Sequence, residues 1–185
     1  SVLPNSVRFR IRDGFRAIGL EVSRFRKRGN ENLPRYLDPE FIPLYKKYHS
    51  YSMIPWQGLY AAYSAARHVA RNNIPGAIVE CGVWKGGCMA IMAETLARHG
   101  SAEREFYLYD TFAGMAEPGE NDAHITGDLH ARDLYQDNKK ETHVDWCYGP
   151  YEEVEALTKT LPCPGARFHL VKGLVEETIP ATMPQ

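Results

Sequence analysis

The sequence predicts an α/β fold built on a parallel sheet, and three observations carry that prediction. Short, mostly apolar strand signals recur at residues 77–81, 106–110 and 167–171. Helical or loop material separates each from the next, and strands alternating with helices need crossover connections and therefore pair in parallel. A chain of 185 residues that is 44% hydrophobic and 24% charged has the balance of one ordinary globular domain.

The elements follow in chain order. Residues 1–30 hold eight Arg or Lys against Asp13 and Glu21, a basic arm that reads as a solvated leader or as a segment for an anionic membrane surface or glycan. Onward to Pro55, four prolines (Pro34, Pro39, Pro43, Pro55) interrupt any long helix. Residues 1–50 are therefore read as arm and irregular lead-in, and residues 51–185 as part of the α/β domain. Leu59, Ala62, Tyr63, Ala66, Val69 and Ala70 recur at steps of three and four, which predicts an amphipathic helix after Trp56.

After the first strand, Met89, Met92 and Leu96 mark a helix over 88–99 that Gly100 stops. The second strand leads into a polar segment from Met115 to Trp146, where a lid or acceptor loop belongs. Pro150 then opens a helix with Glu152 and Glu153 in its first turn and Val154 and Leu157 on its apolar side. Beyond the third strand and Gly173 there is room for one short helix, so the sheet reads as unfinished. Either the natural chain continues past Gln185 or another copy, in a homo-oligomer, covers the open edge.

Composition also excludes partners. A net charge of −1 offers no electrostatic case for binding nucleic acid. No window approaches the roughly 18 to 20 apolar residues of a transmembrane segment, and the chain reads as soluble and cytoplasmic. Cys81, Cys88, Cys147 and Cys163 lack metal-ligand or disulfide-framework spacing and are read as reduced thiols without a metal.

The sharpest local feature is the run from Glu80 to Gly87, E-C-G-V-W-K-G-G, placed where a strand turns into a helix. Gly82, Gly86 and Gly87 allow positive φ and close backbone approach, and the helix start offers free N–H groups to an anion. Trp84 stands where a dinucleotide fingerprint needs its second glycine, so a nicotinamide cofactor fits less well. An acid at the strand end suits instead a cationic ligand with an amino-acid head group, Glu80 facing the ammonium; a ligand-free glycine turn is the plainer alternative. Asp110 ends the next strand, 28 residues after Gly82, where a doubly wound sheet sets an acid against ribose hydroxyls. It also reads as a simple turn acid. Phe112 reads either as an adenine-packing ring or as core, and Gly173 as the third glycine at the same edge.

Together, the run from Asn73 to Gly87, Tyr109-Asp110-Thr111-Phe112-Ala113-Gly114-Met115, Tyr51-Ser52-Met53 and the stretch from Val171 to Pro180 resemble the macrocin O-methyltransferase (TylF/MycF-like) family of class I S-adenosylmethionine-dependent methyltransferases. The resemblance covers about Tyr51 to Pro180. It implies a Rossmann-like class I methyltransferase sheet whose later strands are absent from this chain. S-adenosylmethionine would lie across Glu80, Gly82, Trp84 and the Gly86-Gly87 turn, its ribose on Asp110 beside Thr111, and its adenine near Phe112 and Gly173-Leu174. Met53 would sit over the methionine end. The family methylates sugar hydroxyls, typically of glycosylated natural products, so a sugar or glycoside is the expected acceptor. It also implies Mg2+ on an Asp-rich motif that would lie beyond Gln185.

An aliphatic hydroxyl is a poor nucleophile until a base or metal draws off its proton. His124, His130 and His143 lie in the polar segment, yet a loop histidine is more often solvated, and no catalytic residue is assigned. Two other readings stand beside the methyltransferase: a nicotinamide-dependent sugar oxidoreductase or epimerase, and a non-catalytic nucleoside-binding fragment.

Overall fold

The structure is a computed structural model that describes residues 33–119, 122 and 131–184. The basic arm of residues 1–30, together with His124 and His130, lies outside the described residues. All four cysteines are free thiols.

Among the described residues the first helix, α1 (Phe41–Tyr48), falls in the stretch expected to be irregular. Pro43 sits in its first turn, where a backbone N–H has no helical partner to lose, so the prolines limit the helix without preventing it. Its residues Phe41, Leu44, Tyr45 and Tyr48 are buried. A 3₁₀ turn (His49–Tyr51) leads to α2 (Trp56–Arg71), the helix predicted after Trp56, which buries Leu59, Tyr63, Ala66 and Ala70.

Then come β1 (Ile78–Cys81), α3 (Gly87–Arg98) and β2 (Glu105–Asp110). A short helix, α4 (Ala131–Asn138), interrupts the segment read from sequence as loop. It carries a single buried residue, Tyr135, which is why hydrophobic spacing does not announce it. The chain continues through α5 (Tyr151–Thr160), β3 (Arg167–Lys172) and α6 (Val175–Thr182).

The three strands pair in parallel in the order β1-β2-β3, with Glu80 opposite Leu108 and Asp110 opposite Lys172. Parallel pairing brings the three C-terminal ends to one edge, where open α/β sheets bind ligands. One sheet face sets Ile78, Phe106, Leu108, Phe168 and Leu170 into a core shared with Met89, Ala93 and Leu96 of α3 and Val154 of α5. On the other face, the Thr182 hydroxyl of α6 donates to the Tyr109 hydroxyl at 3.0 Å, while Val79 stays 39% exposed.

Helix α3 is the centre of the packing. Ala90 and Ile91, on its far side, join a second cluster with Phe41, Leu44, Leu59 and Tyr63. A helix apolar on both sides belongs in the interior, and here its first turn is held from two directions. Its end matches the expectation: Gly100 takes φ 80° and the Ser101 N–H closes on the Leu96 carbonyl at 2.9 Å.

Candidate donor-binding site

The site is built where β1 hands over to α3. Past Glu80 the backbone turns sharply, with φ of 80° at Gly82, 51° at Trp84 and 83° at Gly86. A Cβ on Gly82 would meet no heavy atom within 4 Å, so its absence leaves open space beside the turn. Gly87 has the opposite reason: a Cβ there would stand 2.7 Å from the backbone oxygens of Tyr48 and Tyr51. Only glycine lets the first turn of α3 press onto the 3₁₀ turn, which Ser52 and Met53 directly follow. Ser52 is buried, its hydroxyl accepting the Ile54 N–H at 3.0 Å, and Met53 is exposed.

The two carboxylates have different surroundings. Asp110 holds the glycine turn: Oδ2 accepts the Val83 and Trp84 N–H groups at 2.7 and 3.0 Å, and Oδ1 accepts the Phe112 N–H at 2.8 Å. A carboxylate has about four acceptor positions. Three are taken by backbone, which leaves room for one hydroxyl where two were expected.

Glu80 is nearly without such support. Burial is the largest influence on its carboxyl and pushes it up to about 7, the nearby Asp110 charge adding to the rise. The Cys88 thiol and the Met89 N–H oppose that shift by hydrogen bonding to it. Its Oε2 is enclosed and has no hydrogen-bond partner. An enclosed carboxylate oxygen without a donor costs free energy that a cation's N–H groups would recover.

The remaining expected residues take varied places. Thr111 turns the chain, its hydroxyl donating to the Gly114 carbonyl at 2.8 Å. Phe112 is buried, edge-on to Tyr151 at 5.2 Å between centroids, so its ring belongs to the core and its backbone to the site rim. The Gly173 N–H donates to the Asp110 carbonyl at 3.0 Å, which joins the third loop to the second, and Leu174 beyond it is exposed. His143 is already engaged: Nε2 lies 3.0 Å from an Asp145 carboxylate oxygen and its ring stacks on Tyr148 at 4.0 Å.

Three participants escape sequence reasoning. Cys88 reads only as a helix start, yet its thiol meets Glu80. Lys85 pairs with Glu153 of α5 at 3.0 Å and ties the turn to that helix. A Cβ on Gly149 would come within 2.2 Å of the Trp84 carbonyl, so that segment lies directly on the turn. The signal for the last was a lone glycine before Pro150, which by itself marks any loop.

Glu80 Oε2 and the open side of Gly82 fit a cationic ligand with an amino-acid head group such as S-adenosylmethionine. Mg2+ finds no fit: among the described residues no group of three or more His, Cys, Asp or Glu is placed to hold a metal ion.

Comparisons with known proteins give the family of the chain. Residues 43–185 match the family described as Macrocin-O-methyltransferase (TylF). The chain is similar to an 8-demethyl-8-(2,3-dimethoxy-alpha-L-rhamnosyl)-tetracenomycin-C 4'-O-methyltransferase of Streptomyces olivaceus, 30% identical over 112 residues that cover 60% of this chain and 40% of that protein. It is also similar to a demethyldecarbamoylnovobiocin O-methyltransferase of Streptomyces niveus, 33% identical over 73 residues, 40% of this chain and 28% of the relative. Among solved structures, the O-methyltransferase NovP superposes with a TM-score of 0.54 at 23% identity, over 72% of this chain and 52% of NovP, which supports the Rossmann-like fold. The chain thus spans well under two thirds of each of these proteins.

Proposed function

The chain belongs to the macrocin O-methyltransferase (TylF) family, and on that premise we propose that it forms the donor-binding part of an S-adenosylmethionine-dependent O-methyltransferase acting on a sugar hydroxyl of a glycosylated natural product or glycan. The observation that carries the reading is the enclosed, unpartnered Glu80 Oε2 at the mouth of the glycine turn. Two relatives named as O-methyltransferases, one of a rhamnosyl-tetracenomycin, support the reaction and the glycoside acceptor.

In this reading Glu80 receives the donor's ammonium, and Gly82, Trp84, Gly86 and Gly87 form the wall along its methionine part. Asp110 accepts one ribose hydroxyl while holding the turn, with Thr111 and the Phe112 backbone at the rim. Gly173 and Leu174 close the adenine side, and Met53 lies over the methionine end. S-adenosylmethionine supplies an electrophilic methyl on a sulfonium. Two acids near one another at neighbouring strand ends favour a cation there, and a fixed donor lowers the entropic part of the barrier. No described residue is assigned the deprotonation of the acceptor, and no step is assigned to a metal.

The proposal extends to a cytoplasmic location and to further strands beside β1, from a longer chain or a partner copy; the share of each relative that the chain spans supports the former. No helix among the described residues is long and apolar enough to cross a membrane. Calorimetric titration with S-adenosylhomocysteine tests the site. The parent chain is expected to bind, and Glu80→Ala and Asp110→Ala to bind at least about tenfold more weakly, one lost charge-assisted contact being enough for that. No heat from the parent, or unchanged affinity in both variants, overturns it.

A further inference from the structure

We infer that Gly149 is a positioning residue for the donor site: its bare Cα, seated against the Trp84 carbonyl, holds the glycine turn in the shape that Asp110 grips. The inference rests on the proposed function and goes beyond it by naming a residue outside the turn on which the turn's shape depends. Trp84 takes φ 51°, a left-handed conformation that glycine adopts freely and a residue with a side chain adopts at a cost. Such a residue stays there only when its surroundings hold it.

Trp84 is held at both of its peptide groups. On one side its N–H donates to Asp110 Oδ2 at 3.0 Å, beside the Val83 N–H at 2.7 Å. On the other, a Cβ added at Gly149 would stand 2.2 Å from the Trp84 carbonyl oxygen, 2.4 Å from its carbonyl carbon and 3.0 Å from its Cα. All three atoms are backbone, so no side chain can turn aside to make room. Any residue but glycine at 149 therefore displaces the Trp84 peptide, and with it the N–H that Asp110 accepts.

Gly149 is itself braced from both directions. Before it, the Val144 N–H donates to the Ala113 carbonyl at 2.8 Å and the Met115 N–H donates to the Trp146 carbonyl at 2.9 Å, which fastens the segment to the loop after β2. After it, Tyr151 opens α5 edge-on to Phe112, and Glu153 pairs with Lys85 at 3.0 Å. Residues 144–153 thus touch both the loop that carries Asp110 and the turn that Asp110 grips, and they keep the two in register. Register matters to a ligand held by both, because a displacement of about 1 Å in a positioned group can weaken its action many-fold.

The test compares the parent chain with its Gly149→Ala and Glu153→Gln variants by amide hydrogen exchange, S-adenosylhomocysteine calorimetry and thermal melts. Gly149→Ala is expected to speed exchange at the Trp84 N–H at least about tenfold more than at Leu108 within β2, and to weaken S-adenosylhomocysteine binding at least about fivefold. Glu153→Gln releases Lys85 from α5 without adding bulk, and should move both readouts the same way by about twofold. Should the alanine variant fail to fold, the glutamine variant decides. Unchanged exchange at Trp84, or exchange that quickens equally at Trp84 and Leu108, overturns the inference. So does faster exchange at Trp84 with undiminished affinity, since the turn would then move without consequence for the ligand. A parent that binds no S-adenosylhomocysteine removes the proposed function and the donor role of Gly149 with it, a result read separately from the exchange at Trp84.

Discussion

Two carboxylates, Glu80 with its enclosed Oε2 at the end of β1 and Glu94 within α3, show what separates a structural acid from a binding acid. Glu94, in the middle of α3, is 5% exposed and fully served. Its Oε2 accepts from the Lys47 ammonium at 2.9 Å and the Tyr48 hydroxyl at 2.5 Å, and Arg98 pairs with Oε1. Burial alone would raise its carboxyl, but the bonds from Tyr48, Lys47 and Arg98 outweigh that and hold it below the ordinary range. Glu80 has one thiol, one backbone N–H and an empty Oε2, and it moves the other way. A carboxylate that folding has satisfied ties elements together; one that folding leaves short of donors is ready for a ligand to supply them.

The largest expected effect breaks the satisfied acid. Glu94→Ala leaves the buried Tyr48 hydroxyl without its acceptor beside a small cavity and removes the pairing of Lys47 and Arg98, and urea denaturation should show a loss of about 3 kcal/mol. A loss under about 1 kcal/mol would mean that the network contributes little and the contrast with Glu80 is false.

Glu80→Gln should act oppositely on stability. The Glu80 carboxyl rises from 4.5 unfolded to about 7 folded. Its stabilising contribution is thus present below the unfolded value and is lost as pH rises through the folded one. Linkage over that interval amounts to about 3 kcal/mol. Relative to the parent, the glutamine variant should therefore gain stability mainly at pH 8 and little at pH 5, even as it loses S-adenosylhomocysteine affinity. Equal gains at both pH values would show that Glu80 is not titrating in this window.

Smaller effects sharpen the comparison. Tyr48→Phe removes one donor from Glu94 and should cost about 1.5 to 2 kcal/mol in the same denaturation assay, with donor affinity unchanged. Gly82→Ala places a methyl group at φ 80° in open space on the glycine turn. It should cost about 1 kcal/mol from backbone strain and weaken donor binding at once. A variant that kept full affinity would place the ligand elsewhere along the turn.

Much of this was legible in the residues. The strand signals, the glycine turn, the acid ending β2 and the Gly100 stop each depend on a few neighbouring positions, and local chemistry is what a sequence displays. Helix α1 was hidden because its prolines suggested irregularity, and only the burial of Phe41, Leu44 and Tyr48 against α2 and α3 accounts for it. The role of Asp110 was half legible: its place at the strand end follows from alternation, whereas its grip on Val83 and Trp84 spans 27 and 26 residues.

Alone, the sequence determined the kind of scaffold and the composition of its binding edge, since hydrophobic period, glycine placement and strand-end acids are properties of short segments. Tertiary structure decided which acid is satisfied. Tyr48 reaches Glu94 across 46 positions of chain, while burial encloses Glu80 Oε2 without a hydrogen-bond partner. Hydrogen-bond satisfaction and desolvation depend on what surrounds a group in space, and those surroundings form only when distant segments pack.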